Sequence, residues 1–266
     1  MPLTPFRLPA RLPEEPKLKR LIHLKGEADF LAGRHTRRSE FFRVVRIALE
    51  FIRGFRALHF VGPSVTVFGS ARFTQEHPFC ELARQTGKAI GELGFTVITG
   101  GGPGIMQAAS RGAKEAGART VGCNIFLPHE QRSNPFVDRA VTFTYFFVRK
   151  VMLVKYSYGF VILPGGMGTL DELTEAITLI QTGKLYDFPV ILMGTEYWKG
   201  FLDWCRNTLI PQGAIAAEDI DRLVVTDDPV QVAHELEKLA GFLGIPGIRG
   251  PQTPSTATTV PASSSR

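Results

Sequence analysis

From Ser64 onward the chain alternates short apolar, β-branched runs with helical stretches. The runs are Val65–Phe68, Phe95–Ile98, Thr120–Ile125, Ala140–Thr144, Gly159–Leu163, Pro189–Met193 and Leu223–Val225. Between them lie helical intervals such as Phe79–Leu93, Gly104–Ala116 and Thr169–Thr182. Strands buried on both faces read as continuous apolar runs, because neither side meets water, and helices joining them imply crossovers and hence parallel pairing. This predicts an α/β domain built on a doubly wound parallel sheet with helices on both faces. No internal repeat at a fixed period competes with that reading.

The ends differ from the middle. Residues 1–60 hold 13 Lys+Arg against 6 Asp+Glu, and residues 61–266 hold 18 against 19, so the formal charge of +6 is entirely N-terminal. Within the basic segment, Phe41, Val44, Val45, Ala48, Phe51, Ile52 and Phe55 recur at steps of three and four, with Arg43, Arg46, Glu50 and Arg53 between them. That spacing is an amphipathic helix over Arg37–Leu58, packing on the core or on a second subunit. The expected organisation is a basic helical extension (1–60), the α/β domain (61–245) and a Pro/Ser/Thr/Gly tail (246–266). No stretch is apolar enough for a membrane span, and no interleaved aromatic and basic patch supports nucleic-acid binding. The three cysteines, Cys80, Cys123 and Cys205, form neither a disulfide framework nor a metal spacing, which favours a reducing, cytoplasmic setting.

Open parallel sheets bind ligands beyond the carboxyl ends of their strands. Three turns there are informative: Gly69-Ser70-Ala71-Arg72, Gly100-Gly101-Gly102-Pro103-Gly104, and Pro164-Gly165-Gly166-Met167-Gly168-Thr169. Glycines let the backbone turn sharply and approach a ligand, and the free N–H groups opening the next helix can hold an anion. Two such turns before helices, at Gly101 and Gly165, suggest a phosphorylated ligand. Neither ends in Gly-Lys-Ser/Thr and neither reproduces G-x-G-x-x-G, which disfavours triphosphate hydrolysis and the usual dinucleotide site.

Thr169-Leu170-Asp171-Glu172 reads as a capping box, with Thr169 and Glu172 satisfying the amides that open a helix. A carboxylate beside an anion-binding loop has a second use, since it can bind ribose hydroxyls or activate water. Ahead of the fifth strand, Arg149-Lys150 interrupts the apolar run Phe146–Val154. There Arg149 would offer a fixed guanidinium fork to a phosphate or a developing negative charge, unless both cations simply reach to solvent.

The run Pro164-Gly-Gly-Met-Gly-Thr-Leu-Asp-Glu172, preceded by Arg149-Lys150, resembles the PGGxGTxxE signature and upstream RK pair of the Lonely Guy family, the cytokinin riboside 5′-monophosphate phosphoribohydrolases. The resemblance covers roughly residues 60–245. It implies a Rossmann-like homodimer that hydrolyses the N-glycosidic bond of a nucleoside 5′-monophosphate, AMP or an N6-substituted AMP, without metal or cofactor. It carries catalytic roles to Arg149 and Glu172. Substrate contacts are expected from Gly69, Ser70, Gly101, Gly102, Gly104, Lys150, Met152, Gly165, Gly166, Gly168 and Thr169, with Glu130 and Thr178 as further candidates. The chain has Phe146-Phe147 where plant-type members have Met-His, and Gln107 where bacterial relatives carry an acid. Asn124–Gln131 looks like the longer bacterial branch. The alternative on the same fold is a carrier that holds a nucleotide or a nucleotide-bearing cofactor without turning it over.

Overall fold

The structure is a computed structural model that describes residues 26–31, 33, 35–126, 133–245 and 248. Seven strands, β1 (Ser64–Phe68), β2 (Thr96–Thr99), β3 (Thr120–Ile125), β4 (Arg139–Phe143), β5 (Phe160–Ile162), β6 (Val190–Met193) and β7 (Val224–Thr226), form one sheet of order β4-β3-β2-β1-β5-β6-β7. Every pairing is parallel. The chain winds outward from β1 to β4, crosses back to lay β5 against β1, and then winds outward the other way. All seven runs read from the sequence are strands, with ends displaced by a residue or two.

Two cores lie on the two faces. Val65, Val67, Val97, Val161 and Ile191 point to the face covered by helices α3 (Pro78–Glu92), α4 (Ile105–Glu115) and α9 (Pro229–Leu243). Phe68, Ile98, Phe160, Ile162 and Leu192 point to the other face. There they meet α5 (Phe146–Lys155), α6 (Met167–Gln181) and α7 (Thr195–Trp204), followed by a π-helical turn (Cys205–Leu209) and the short α8 (Ala217–Asp221). The alternation along each strand is the period of two that a pleated strand imposes.

Helices α3 and α4 touch through their backbones. A Cβ on Gly87 would stand 2.1 Å from the Ala109 carbonyl oxygen, and one on Gly112 would stand 1.8 Å from that of Arg84. No side chain fits between the helices at either point.

The N-terminal part contributes α1 (Gly26–Leu31) and α2 (Arg37–Leu58). Helix α2 has the expected bounds, and most of its apolar side chains do not pack on the core. Phe41, Val44, Val45, Ile52 and Phe55 face outward, while Arg43, Glu50, Gly54 and Leu58 are buried. The reason is bonding to the domain: Glu50 accepts from the backbone N–H groups of Thr144 and Tyr145, and Arg53 donates to the Thr142 carbonyl. Gly54 permits close approach, since a Cβ there would lie 3.0 Å from the Met152 sulfur. No helix among the described residues is long and apolar enough to cross a membrane.

Candidate active site

Strands β1 and β5 are neighbours from which the chain departs in opposite directions, so the turns after them splay apart and leave a crevice. The Ser70 N–H donates to the Pro164 carbonyl at 3.0 Å and ties the two turns together. The turn after β2 joins them, with the Ile105 N–H donating to the Ser70 carbonyl at 3.0 Å. Gly104 is required at that junction: its φ is +65°, and a Cβ would lie 2.4 Å from the same Ser70 oxygen. The result is a cleft of about 840 Å³. Its walls include Ser70, Gly100, Arg149, Gly165, Thr169 and Glu172.

The turn Gly165–Gly168 is packed on one side and open on the other. A Cβ on Gly165 would stand 2.0 Å from the Thr169 hydroxyl and 3.0 Å from the Ser70 nitrogen, and the Tyr197 hydroxyl donates to the Gly165 carbonyl at 2.7 Å. Gly166, Met167 and Gly168 are exposed along the cleft, where the opening amides of α6 have no acceptor within the helix. This is an anion-binding arrangement. Helix α6 starts at Met167 with Gly166 as its N-cap and no side-chain cap bond. The expected capping box is therefore absent: Thr169 is the third helical residue, one turn too late to cap, and Glu172 is free for another use.

Glu172 is only 6% exposed, and its Oε2 makes no hydrogen bond with the described residues. Burial pushes its carboxyl up to about 7, against the opposing pull of the Arg149 and Lys150 charges. Arg149 reaches the same cleft from α5, with its Nη2 2.6 Å from where a Gly100 Cβ would be. Glycine at position 100 thus makes room for the guanidinium. Lys150 turns the other way, to Asp171 at 2.9 Å and Glu175 at 3.1 Å on α6. Burial opposes its charge, yet the bonds to those two carboxylates prevail and raise its pKa. The cation pair is therefore split between the cleft (Arg149) and the α5–α6 contact (Lys150).

Of the candidate residues, Gly69, Ser70, Gly102, Arg149, Gly165, Gly166, Gly168, Thr169 and Glu172 come together on the cleft. Gly101 and Gly104 shape the turn behind it and do not line it. Met152 is fully buried against Gly54, and the exposed Thr178 hydroxyl donates to the Thr174 carbonyl. Neither lines the cleft. Glu130 lies outside the described residues. The sequence reading missed Phe73, Met106, Asn124, Phe146 and Tyr197, which also line the cleft. Phe73, Met106 and Phe146 each stand beside a motif and Asn124 opens the stretch Asn124–Gln131, whereas Tyr197 had no sequence signal.

A family model described as "Possible lysine decarboxylase" matches residues 106–236. The chain is 32% identical over 151 residues to a cytokinin riboside 5′-monophosphate phosphoribohydrolase of Mycobacterium tuberculosis, covering 56% of this chain and 80% of that one. The chain belongs to the Lonely Guy family. A second member, from Mycobacterium marinum, is 32% identical over 62% of this chain and 88% of its own length. A pyrimidine/purine nucleotide 5′-monophosphate nucleosidase of Escherichia coli K12 is 26% identical over 73% of this chain and 45% of its own. Among solved structures, the structural-genomics target TM1055 aligns with a TM-score of 0.52 at 26% identity, over 66% of this chain and 99% of that one. The molybdenum cofactor carrier protein of Chlamydomonas reinhardtii aligns at 0.50 and 23%, over 68% and 99%, a likeness of fold alone. The Lonely Guy match and these structures agree with the Rossmann-like reading of the sheet.

Proposed function

We propose that this protein hydrolyses the N-glycosidic bond of a nucleoside 5′-monophosphate, releasing the free base and ribose 5-phosphate. The observation that carries the reading is the convergence of Glu172 and Arg149 on one cleft that also presents the opening amides of α6. The phosphate is held at Gly166–Gly168 by N–H groups and by the positive end of the helix. As the C1′–N bond breaks, its electron pair leaves on the base and positive charge builds on the ribose. The Glu172 carboxylate stabilises that charge and takes a proton from the water adding to C1′, as in glycoside hydrolysis. The departing base gains a proton, so Glu172 is returned ionised. Arg149 steadies the phosphate or the charge developing on the base.

Phe73, Met106, Ile125 and Phe146 give the cleft an apolar side suited to a purine ring and to an apolar N6 substituent. AMP and N6-substituted AMP are accordingly the proposed substrates, with cytokinin activation as the role where such nucleotides occur. Residues 61–245 would form the catalytic domain and residues 1–60 its extension. The three cysteines are free and buried, which suits a reducing compartment such as the cytoplasm. The outward apolar side chains of α2 and the neighbouring Phe146, Phe147 and Val151 of α5 support a homodimer through this face.

The test is incubation of the purified protein with nucleoside monophosphates and the matching nucleosides, with free base measured by chromatography. Base should be released from monophosphates and scarcely from nucleosides, because binding of the remote phosphate contributes to the rate. Equal rates on both would contradict the phosphate loop. An intact Glu172–Arg149 pair favours hydrolysis over the carrier alternative, which needs neither.

A further inference from the structure

We infer that Glu50, assisted by Glu27, is a positioning residue that sets Arg149 in the cleft from outside it, an inference that rests on the catalytic reading above. Helix α5 carries Arg149 in its first two turns but supplies no cap of its own. Its N-cap residue, Tyr145, makes no side-chain cap bond, and its first turn contains no acidic residue. The first amides of a helix have no acceptor within it.

The acceptors come from the N-terminal helices. Glu50 Oε1 accepts from the Thr144 N–H at 2.8 Å and from the Tyr145 N–H at 3.0 Å. Glu27 accepts from the Phe146 N–H, with its two oxygens at 3.1 and 3.2 Å. Three consecutive amides leading into α5, those of Thr144, the N-cap Tyr145 and the first helical residue Phe146, are thus held by two carboxylates, where the helix dipole also favours negative charge. Glu50 is 8% exposed, a depth at which a carboxylate is costly unless fully used.

Precision matters at this helix start because Arg149 has no slack. Its N–H donates to the Tyr145 carbonyl at 3.2 Å, so its backbone follows the residue Glu50 holds. Its guanidinium lies against the Gly100 Cα, where one added carbon would collide. The close contact of Gly54 with Met152 fixes α2 to α5 two residues beyond Lys150. Glu50 does not line the cleft, so its effect on turnover runs through the placement of Arg149.

The experiment compares wild type, Glu50→Ala, Arg149→Lys and the double variant on AMP, with Glu50→Gln as the conservative control. Loss of a helix cap and its charge corresponds to roughly a tenfold effect. Glu50→Ala should therefore lower kcat/KM about tenfold, and Glu50→Gln, which keeps the accepting oxygen, should stay within about threefold. In the Arg149→Lys background, Glu50→Ala should cost less than about twofold. Rates of Glu50→Ala within twofold of wild type, or the same factor lost in both backgrounds, would overturn the inference.

If Arg149→Lys is too slow to read, the affinity of the four proteins for ribose 5-phosphate is measured by calorimetry, with the same non-additivity expected. If Glu50→Ala does not fold, Glu50→Asp replaces it in the comparison. A wild type that binds ribose 5-phosphate but releases no base from any monophosphate overturns the catalytic reading, and the calorimetric cycle then decides the positioning by itself. Absence of both binding and turnover overturns both.

Discussion

Removing the charge of Glu172 should have opposite effects on the fold and on the chemistry. Its carboxyl titrates near 7 in the folded protein, against an ordinary value of 4.5, because burial disfavours the ionised form. Below pH 4.5 it is protonated in both folded and unfolded chains and contributes no difference. As pH rises toward 7 the unfolded chain ionises first, so folded stability falls, by about 3 kcal/mol once pH exceeds 7. Glu172→Gln should therefore melt higher than wild type at pH 8 and equally at pH 4, as scanning calorimetry can measure. It should also abolish base release. Equal melting at pH 8 would mean that the carboxyl is better solvated than its surroundings suggest.

The rate constant kcat/KM of wild type should rise with pH through about 7, since the ionised carboxylate is the active form. A pH–rate profile falling over that range would assign Glu172 as a proton donor instead. Both catalytic candidates were legible in the sequence, through the signature and the RK pair. The division of labour within that pair was not, because Lys150 is claimed by Asp171 and Glu175, 21 and 25 residues further on.

At the level of the element, the turn before α6 depends on backbone clearance. Gly165→Ala would drive a methyl into Thr169 and the Ser70 nitrogen, where overpacking costs about 1–3 kcal/mol. The turn should open and lose its hold on phosphate. We expect kcat/KM for AMP to fall about a hundredfold while far-UV circular dichroism is unchanged, whereas Gly166→Ala, with open space around its Cα, should be much milder. The reverse ranking would place the critical clearance elsewhere. The inner strands were easy to read because they are buried on both faces and need only an apolar run; the edge strand β4, with Arg139, Ala140 and Thr142 exposed, was legible from its β-branched residues instead. Helix α2 was harder. Hydrophobic spacing gave its bounds, but the buried side is chosen by Glu50 bonding amides 94 and 95 residues away, which no local pattern encodes. The helix opening at Met167 was misread for a related reason: its glycines supply the turn geometry, so no capping side chain is needed at Thr169.

For the whole molecule, the outward face of α2 is the feature that most affects behaviour in solution. Phe41, Phe42, Leu49 and Ile52 are each more than half exposed, on a helix that meets α5 at Glu50 and Gly54. If this face joins two copies, Ile52→Glu should convert a dimer to a monomer in light scattering without changing the helical content. A wild type that is already monomeric at tens of micromolar would overturn the proposed dimer. The doubly wound parallel sheet and the three turns that build the cleft followed from alternation and glycine placement; the strand order, which puts the β1 and β5 turns side by side, did not. The fit of the extension onto α5 did not.

The paired glycine contacts between α3 and α4 bear on how a ligand comes and goes. With backbone against backbone at Gly87 and Gly112, those two helices have no compressible layer between them and behave as a single slab. The turn that Gly104 anchors to Ser70 is bolted to that slab, making one jaw of the cleft a fixed anvil. Breathing that admits a nucleotide and lets a freed base depart is therefore expected beyond the Ser70–Pro164 bond, at the open rim where Met167 stands 83% exposed.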